Sequence, residues 1–320
     1  MSAFDCFNGD ADGICALTQL RLAEPLESTL ITGVKRDIKL LDKVDAAPGD
    51  RVTALDISLD KNRASLNSIL AAGANVFYCD HHYAGEIPDH DNLATIINPA
   101  SDVCTSLLIN QYLNSQFLEW AVVGTFGDNL KKSARGLAKS LSLPDEELNQ
   151  LENLGIYLNY NGYGSALEDL CFHPAELYKK VSVYASPRQF MVEDSSTFET
   201  LENGYHEDMA KAASTPANYE REHVAVYQLP DAPWARRVSG VFGNDLANLH
   251  ADRAHAVLTE RSPGIYVVSV RAPLTNKQGA DEICRQFESG GGRAAAAGIN
   301  HLPASDVDRF VDVFSQYYAA

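Results

Sequence analysis

Short apolar runs alternate with stretches of helical spacing along the first part of the chain. Residues 4–7 read as a strand followed by a helix over 14–24, residues 52–57 as a strand followed by a helix over 61–72, and residues 76–79 as a third strand. Residues 104–113 and 117–126 carry helical patterns. Such alternation implies an α/β architecture, a parallel sheet with helices on both faces. From His223 onward the rhythm changes. Strands are expected at 224–227, 254–259 and 265–271, and helices at 245–250, 280–288 and 305–318, which together make a smaller mixed α/β unit.

Length agrees with two units, since 320 residues at ~150 per domain give about two. The polar stretch 186–222 reads as a connector that includes a helix, so the expected division is 1–185, a linker over 186–222, and 223–320. Charge differs across it: 17 basic against 33 acidic residues before position 223, nine against ten after it. The formal charge of −17 repels a phosphate backbone, which argues against a long-duplex binder. Six scattered cysteines (6, 15, 79, 104, 171 and 284) form no C-x-x-C pair and read as reduced thiols. Neither a secretion signal nor a membrane span is visible, so a cytoplasmic location is expected.

Candidate chemistry gathers where the expected strands end. After the first strand stands Asn8-Gly9-Asp10-Ala11-Asp12-Gly13, whose three side-chain oxygens at alternate positions suit a hard cation. A calcium loop of the EF-hand type is excluded, because its twelfth position would be Gln19, its first is Asn8, and a strand precedes it. A helix-capping turn is the ordinary reading of this hexapeptide alone. Asp56 ends the second strand and Asp80-His81-His82 ends the third, and the carboxyl ends of parallel strands share one edge. Asp128, at the end of an apolar helical run, adds a fifth acid. Five carboxylates crowded together call for about +4 of countercharge, which two divalent cations supply. Oxygen donors with imidazole suit Mn²⁺, with Mg²⁺ or Co²⁺ as alternatives.

Asp80-His81-His82 and the Asn8–Gly13 loop resemble the motifs of the DHH phosphoesterase superfamily, which includes manganese pyrophosphatases, RecJ-type exonucleases, nanoRNases and cyclic-dinucleotide phosphodiesterases. Gly290-Gly291-Gly292-Arg293 with the following Ala294-Ala295-Ala296-Ala297-Gly298 resembles the glycine-rich signature of the DHH-associated substrate-binding domain, although three glycines after a helix also fit a simple C-cap and turn. The resemblance implies a catalytic first domain and a substrate-binding last one. It assigns Asn8 and Asp10 to one metal, Asp12, His81 and Asp128 to the other, and Asp56 as the bridge. Asp80 would orient an imidazole and His82 would donate to the phosphoryl group. The implied reaction is attack of hydroxide on phosphorus assisted by both metals.

Two positions depart from that pattern. Asn8 stands where many relatives have His, and Arg293 replaces the signature histidine after the glycines. Arg293 grips phosphate but exchanges no proton near neutral pH. With Arg271 at a strand end and no long basic track, the expected substrate is short: a linear dinucleotide such as pGpG, cleaved to 5′-mononucleotides. A phosphatase of small bisphosphate nucleotides such as pAp, a cyclic-dinucleotide phosphodiesterase, and a nucleotide-binding regulator with a decayed metal site are the alternatives. Tyr160, Tyr163 and Phe242 are candidate base contacts, although core packing suits each better; Lys131 and Lys132 fit phosphate contacts or, more simply, an exposed helix face, and a homodimer stays open.

Overall fold

The computed structural model describes residues 1–319. They form two compact units, Met1–Gly204 and a second from Tyr205 onward. The first contains strands β1 (Ala3–Phe7), β2 (Thr29–Ile31), β3 (Arg51–Leu55), β4 (Asn75–Asp80) and β5 (Leu93–Ile97). Its helices are α1 (Ala11–Ala23), α2 (Leu59–Ala71), α3 (Thr105–Tyr112), α4 (Leu118–Gly127), α5 (Lys131–Ala138), α6 (Asp145–Asn161), α7 (Pro174–Val181) and α8 (Pro187–Glu193), with α9 (Ser195–Ala213) running across the division. The stretch 186–222 therefore holds two helices, and Ser186 caps the first by accepting from Arg188 N–H with Pro187 at the opening position.

All five strands of the first sheet are parallel, in the order β2-β1-β3-β4-β5. Helix α2 buries Leu66, Ile69 and Leu70 on one face against Cys6, Val52, Ala54, Val76 and Tyr78. Burial on both faces explains why these strands read as continuous apolar runs. Inside the sheet Arg21 pairs with Asp5 through Nε at 2.8 Å, and Nη2 also donates to Thr53 at 2.9 Å, so this buried charge is fully engaged.

The second unit contains β6 (Tyr219–Glu220), β7 (Val224–Leu229), β8 (Ala254–Ser262), β9 (Ile265–Arg271), β10 (Gly290–Arg293) and β11 (Ala296–Pro303), with helices α10 (Pro233–Leu249), α11 (Ala280–Cys284) and α12 (Val307–Ala319). Its sheet runs β10-β11-β9-β8-β7-β6, with only β7 and β8 parallel. Ile283 and Cys284 of α11 and Phe310 and Phe314 of α12 pack on one face, while Ala235, Val238, Phe242 and Leu246 of α10 cover Val257 on the other.

Two local expectations are revised here. Helix α10 begins at Pro233 rather than near 245; glycines 240 and 243, weak helix formers, mask its apolar stripe. Helix α11 stops at Cys284 rather than 288. The glycine run lies in an edge strand, β10, which sets aside the simple C-cap turn, and Gly290 lies so close to the chain that a Cβ there would fall 1.7 Å from the Cys284 carbonyl oxygen.

Candidate metal centre

Because β1, β3 and β4 are parallel neighbours, their carboxyl ends deliver Asn8 and Asp10, Asp56, and Asp80 to His82 to one edge. Asp10 caps α1, its Oδ1 accepting from the amides of Asp12 at 3.0 Å and Gly13 at 3.1 Å. Asp56 follows β3 in the left-handed conformation, φ 57°. Asp128 is the C-terminal cap of α4. Its position depends on close helix packing: a Cβ on Gly127 would lie 2.3 Å from Ala11 Cβ and 2.8 Å from the Gly155 oxygen.

A short segment before and within α3 orders two of these groups. Asp12 accepts from the amides of Thr105 and Ser106, one on each oxygen and both at 2.7 Å. His81 places Nδ1 2.9 Å from the Val103 carbonyl oxygen, so that nitrogen carries the proton. Nε2 then faces Asp56 Oδ1 at 3.4 Å, Asp128 Oδ2 at 3.8 Å and Asp12 Oδ2 at 3.9 Å. His82 is nearly half exposed and reaches Asp80 Oδ1 at 2.7 Å through Nδ1, which raises its pKa above the usual histidine value.

Electrostatics mark the cluster as crowded with like charge. Burial, then Asp12, Asp10, Asp80 and Asp128, hold the Asp56 carboxyl well above its ordinary range. Burial with Asp12 and Asp10 raises Asp128 to about 7, against the opposing pull of His81 and Lys35. Ligand atoms of Asp12, His81 and Asp128 lie within 4.8 Å of one another, as do those of Asp56, His81 and His82. An imidazole nitrogen set among three carboxylate oxygens fits a divalent cation of the oxygen-and-nitrogen-binding class.

At the other end stands Lys35, which no pattern in the sequence singles out. Its Nζ lies 2.6 Å from Asp10 Oδ2 and 2.9 Å from Asn159 Oδ1, and 5.6 Å from the centre of the Tyr163 ring. Burial pushes Asp10 upward, but the ammonium beside it outweighs that and holds the carboxyl below its ordinary range. Asn8 is buried, donates weakly from Nδ2 to the Lys35 carbonyl at 3.4 Å, and leaves Oδ1 without a hydrogen-bond partner.

In the second unit, Gly290, Gly291, Gly292 and Arg293 form β10. Arg293 is exposed and makes no ion pair among the described residues. Arg271 lies in the same cross-strand row, both residues being in register with Ala296 of the strand between them. Its guanidinium ties β9 to α10, donating to Asn244 Oδ1 at 2.6 Å and to the Gly240 carbonyl at 3.1 Å. Tyr160 and Phe242 are core residues, and Tyr163 is half-buried. Lys131 pairs with Glu152 at 3.0 Å. All six cysteines are free thiols, five of them buried. Among the described residues no helix is long and apolar enough to cross a membrane.

No family model and no curated protein matches this sequence. Solved structures do match in fold. The DHH domain of a protein described as a member of a family of ribosomal proteins is 13% identical at a TM-score of 0.65, over 99% of this chain and 86% of that one. Exonuclease RecJ bound to manganese is 15% identical at 0.64, over 99% and 90%. A pGpG-specific phosphodiesterase from Vibrio cholerae is 14% identical at 0.56, over 98% and 99%. With a five-stranded parallel sheet, a second mixed sheet and the strand-end acids in place, the chain has the fold of the DHH-domain proteins.

Proposed function

We propose that this protein is a metal-dependent phosphodiesterase of short linear oligonucleotides, with dinucleotides such as pGpG as preferred substrates and 5′-mononucleotides as products. The observation that carries the reading is His81: its Nε2 meets oxygens of Asp12, Asp56 and Asp128 at the sheet edge. A divalent cation bound there, Mn²⁺ by the donor set, supplies Lewis acidity to a phosphoryl oxygen and makes an attacking water more acidic.

The chain's own residues do the rest. Val103 and the first amides of α3 hold His81 and Asp12 in place, so these two ligands are oriented in advance. Asp80 holds His82 through Nδ1 and raises its pKa, which favours the protonated ring that can donate to a phosphoryl oxygen. Arg293 offers an exposed fork to a terminal phosphate. Net charge and the lack of a basic track disfavour long strands. Similarity in fold to an exonuclease and to a pGpG-specific phosphodiesterase supports the same reaction class.

The test is a substrate panel: di-, tri- and ten-residue RNAs, a cyclic dinucleotide and pAp, with Mn²⁺ and with EDTA. Fastest hydrolysis of dinucleotides, abolished by EDTA, is expected. Equal kcat/KM on the ten-residue RNA would move the protein to the exonucleases, and turnover of pAp or the cyclic dinucleotide alone would replace the substrate class. Full activity in metal-free protein, verified by elemental analysis, removes the metal.

A further inference from the structure

We propose that Lys35 is a resident cation that occupies one half of the carboxylate cluster, so that this chain holds one divalent ion, through Asp12, Asp56, His81 and Asp128, where two would otherwise be expected. The inference rests on the cluster being a metal centre and concerns how many ions it takes.

Asp10 differs from Asp12, whose two oxygens also accept backbone amides, in that a cation already stands on it. Its Oδ1 accepts from two backbone amides at the start of α1, and its Oδ2 lies 2.6 Å from Lys35 Nζ. Lys35 is not a surface lysine that has folded inward by chance. Its backbone amide donates to the Gly162 carbonyl at 2.9 Å, its ammonium donates to Asn159 Oδ1, and the Tyr163 ring lies beside it. Asn159 is itself held, its Nδ2 donating to the Tyr163 hydroxyl at 3.0 Å. Residues of α6 and of the turn that follows it therefore build a cradle for one ammonium group.

Asn8 completes the argument. Imidazole or carboxylate at this position would add a strong ligand beside Asp10. The amide contributes only a neutral oxygen, and that oxygen is buried without a partner. A second divalent ion would find one uncommitted carbonyl oxygen, a carboxylate already engaged, and an ammonium at contact distance. Among the described residues, Asp10 joins neither group of His, Cys, Asp and Glu whose ligand atoms converge. Asp80 Oδ1 is engaged by His82 while its Oδ2 is buried without a partner, and the oxygens around His81 Nε2 are those of Asp12, Asp56 and Asp128. Asn8 and Lys35 thus read as a matched pair: a ligand weakened and a cation supplied in the same place.

The experiment counts ions. Metal-free wild type, Lys35→Met and Lys35→Arg are titrated with Mn²⁺ by calorimetry, with elemental analysis after desalting and paramagnetic resonance of the bound Mn²⁺. Wild type and Lys35→Arg should bind one ion per chain, with the spectrum of an isolated Mn²⁺. Lys35→Met should take up a second ion at least about tenfold more tightly than wild type does, with the spectral broadening of a coupled pair. Two ions of comparable affinity in wild type, or one ion in a folded Lys35→Met protein, would overturn the proposal while leaving the metal centre intact. Should Lys35→Met not fold, the wild-type and Lys35→Arg counts still decide the question. No binding in any protein would remove the metal-centre reading, and this inference with it.

Discussion

His81 and Asp12 are held by the same four-residue segment: the Val103 carbonyl accepts the His81 Nδ1 proton at 2.9 Å, and the amides of Thr105 and Ser106 donate to the two oxygens of Asp12 at 2.7 Å each. The residue that follows β4 and a residue of α1 are thereby fixed to one another through a segment that joins neither converging group of ligand atoms.

For His81, the consequence is a ligand whose orientation is set before any ion arrives. His81→Ala should weaken Mn²⁺ binding by at least about 10- to 100-fold, measured by calorimetry, and abolish hydrolysis. Unchanged Mn²⁺ affinity would show that Nε2 is not a ligand.

Asp56→Asn keeps shape and tolerates the left-handed backbone, so the fold should survive. Turnover should drop by at least ~10³ with the loss of a central carboxylate. The metal-free variant should melt higher than metal-free wild type, because burial among like charges disfavours the ionised carboxyl. A lower melting temperature would contradict the electrostatic account; near wild-type turnover would contradict the assignment.

Arg293→Ala should act on binding. Losing one charge-assisted contact worth ~1.5–3 kcal/mol raises KM for a dinucleotide roughly ten- to a hundredfold, with kcat little changed. A fall in kcat at constant KM would place Arg293 in the chemical step instead.

His255 sets an acid limit on the second unit. It is fully buried on β8, neither ring nitrogen has a hydrogen-bond partner, and burial, with His250 and Arg253, lowers its pKa to about 4. The unfolded chain takes up this proton near pH 6.5 and the folded one near 4, so stability falls as pH drops through that window, by up to about 3 kcal/mol. Denaturant melts from pH 7 to 4 should show this slope in wild type and a shallower one in His255→Leu. Equal slopes would exclude His255 as the cause.

Strand-end chemistry was legible because a parallel sheet turns sequence position into spatial position: an acid after an apolar run must lie at the carboxyl edge. Asp10, Asp56 and Asp80 were found that way, and Asp128 by ending an apolar helix. Lys35 was not, since it stands in irregular chain between β2 and β3, where no periodicity says which way a side chain points. Thr105 and Ser106 were hidden for another reason: they act through backbone amides, which every residue type but proline possesses. The strand formed by the glycine run escaped notice because its place depends on pairing with β11, a contact distant from local propensity.

The left-handed backbone at Asp56 sets local comfort against chemistry. A non-glycine residue pays roughly 1–2 kcal/mol to adopt φ near +57°, and here the side chain is also an acid in a crowd of acids. Glycine or asparagine would suit that backbone better, so a sequence redesigned for stability from the backbone alone would replace Asp56 early. Thermostability screening of this chain would therefore enrich for proteins that have lost the carboxylate, and libraries built for robustness should hold position 56 fixed.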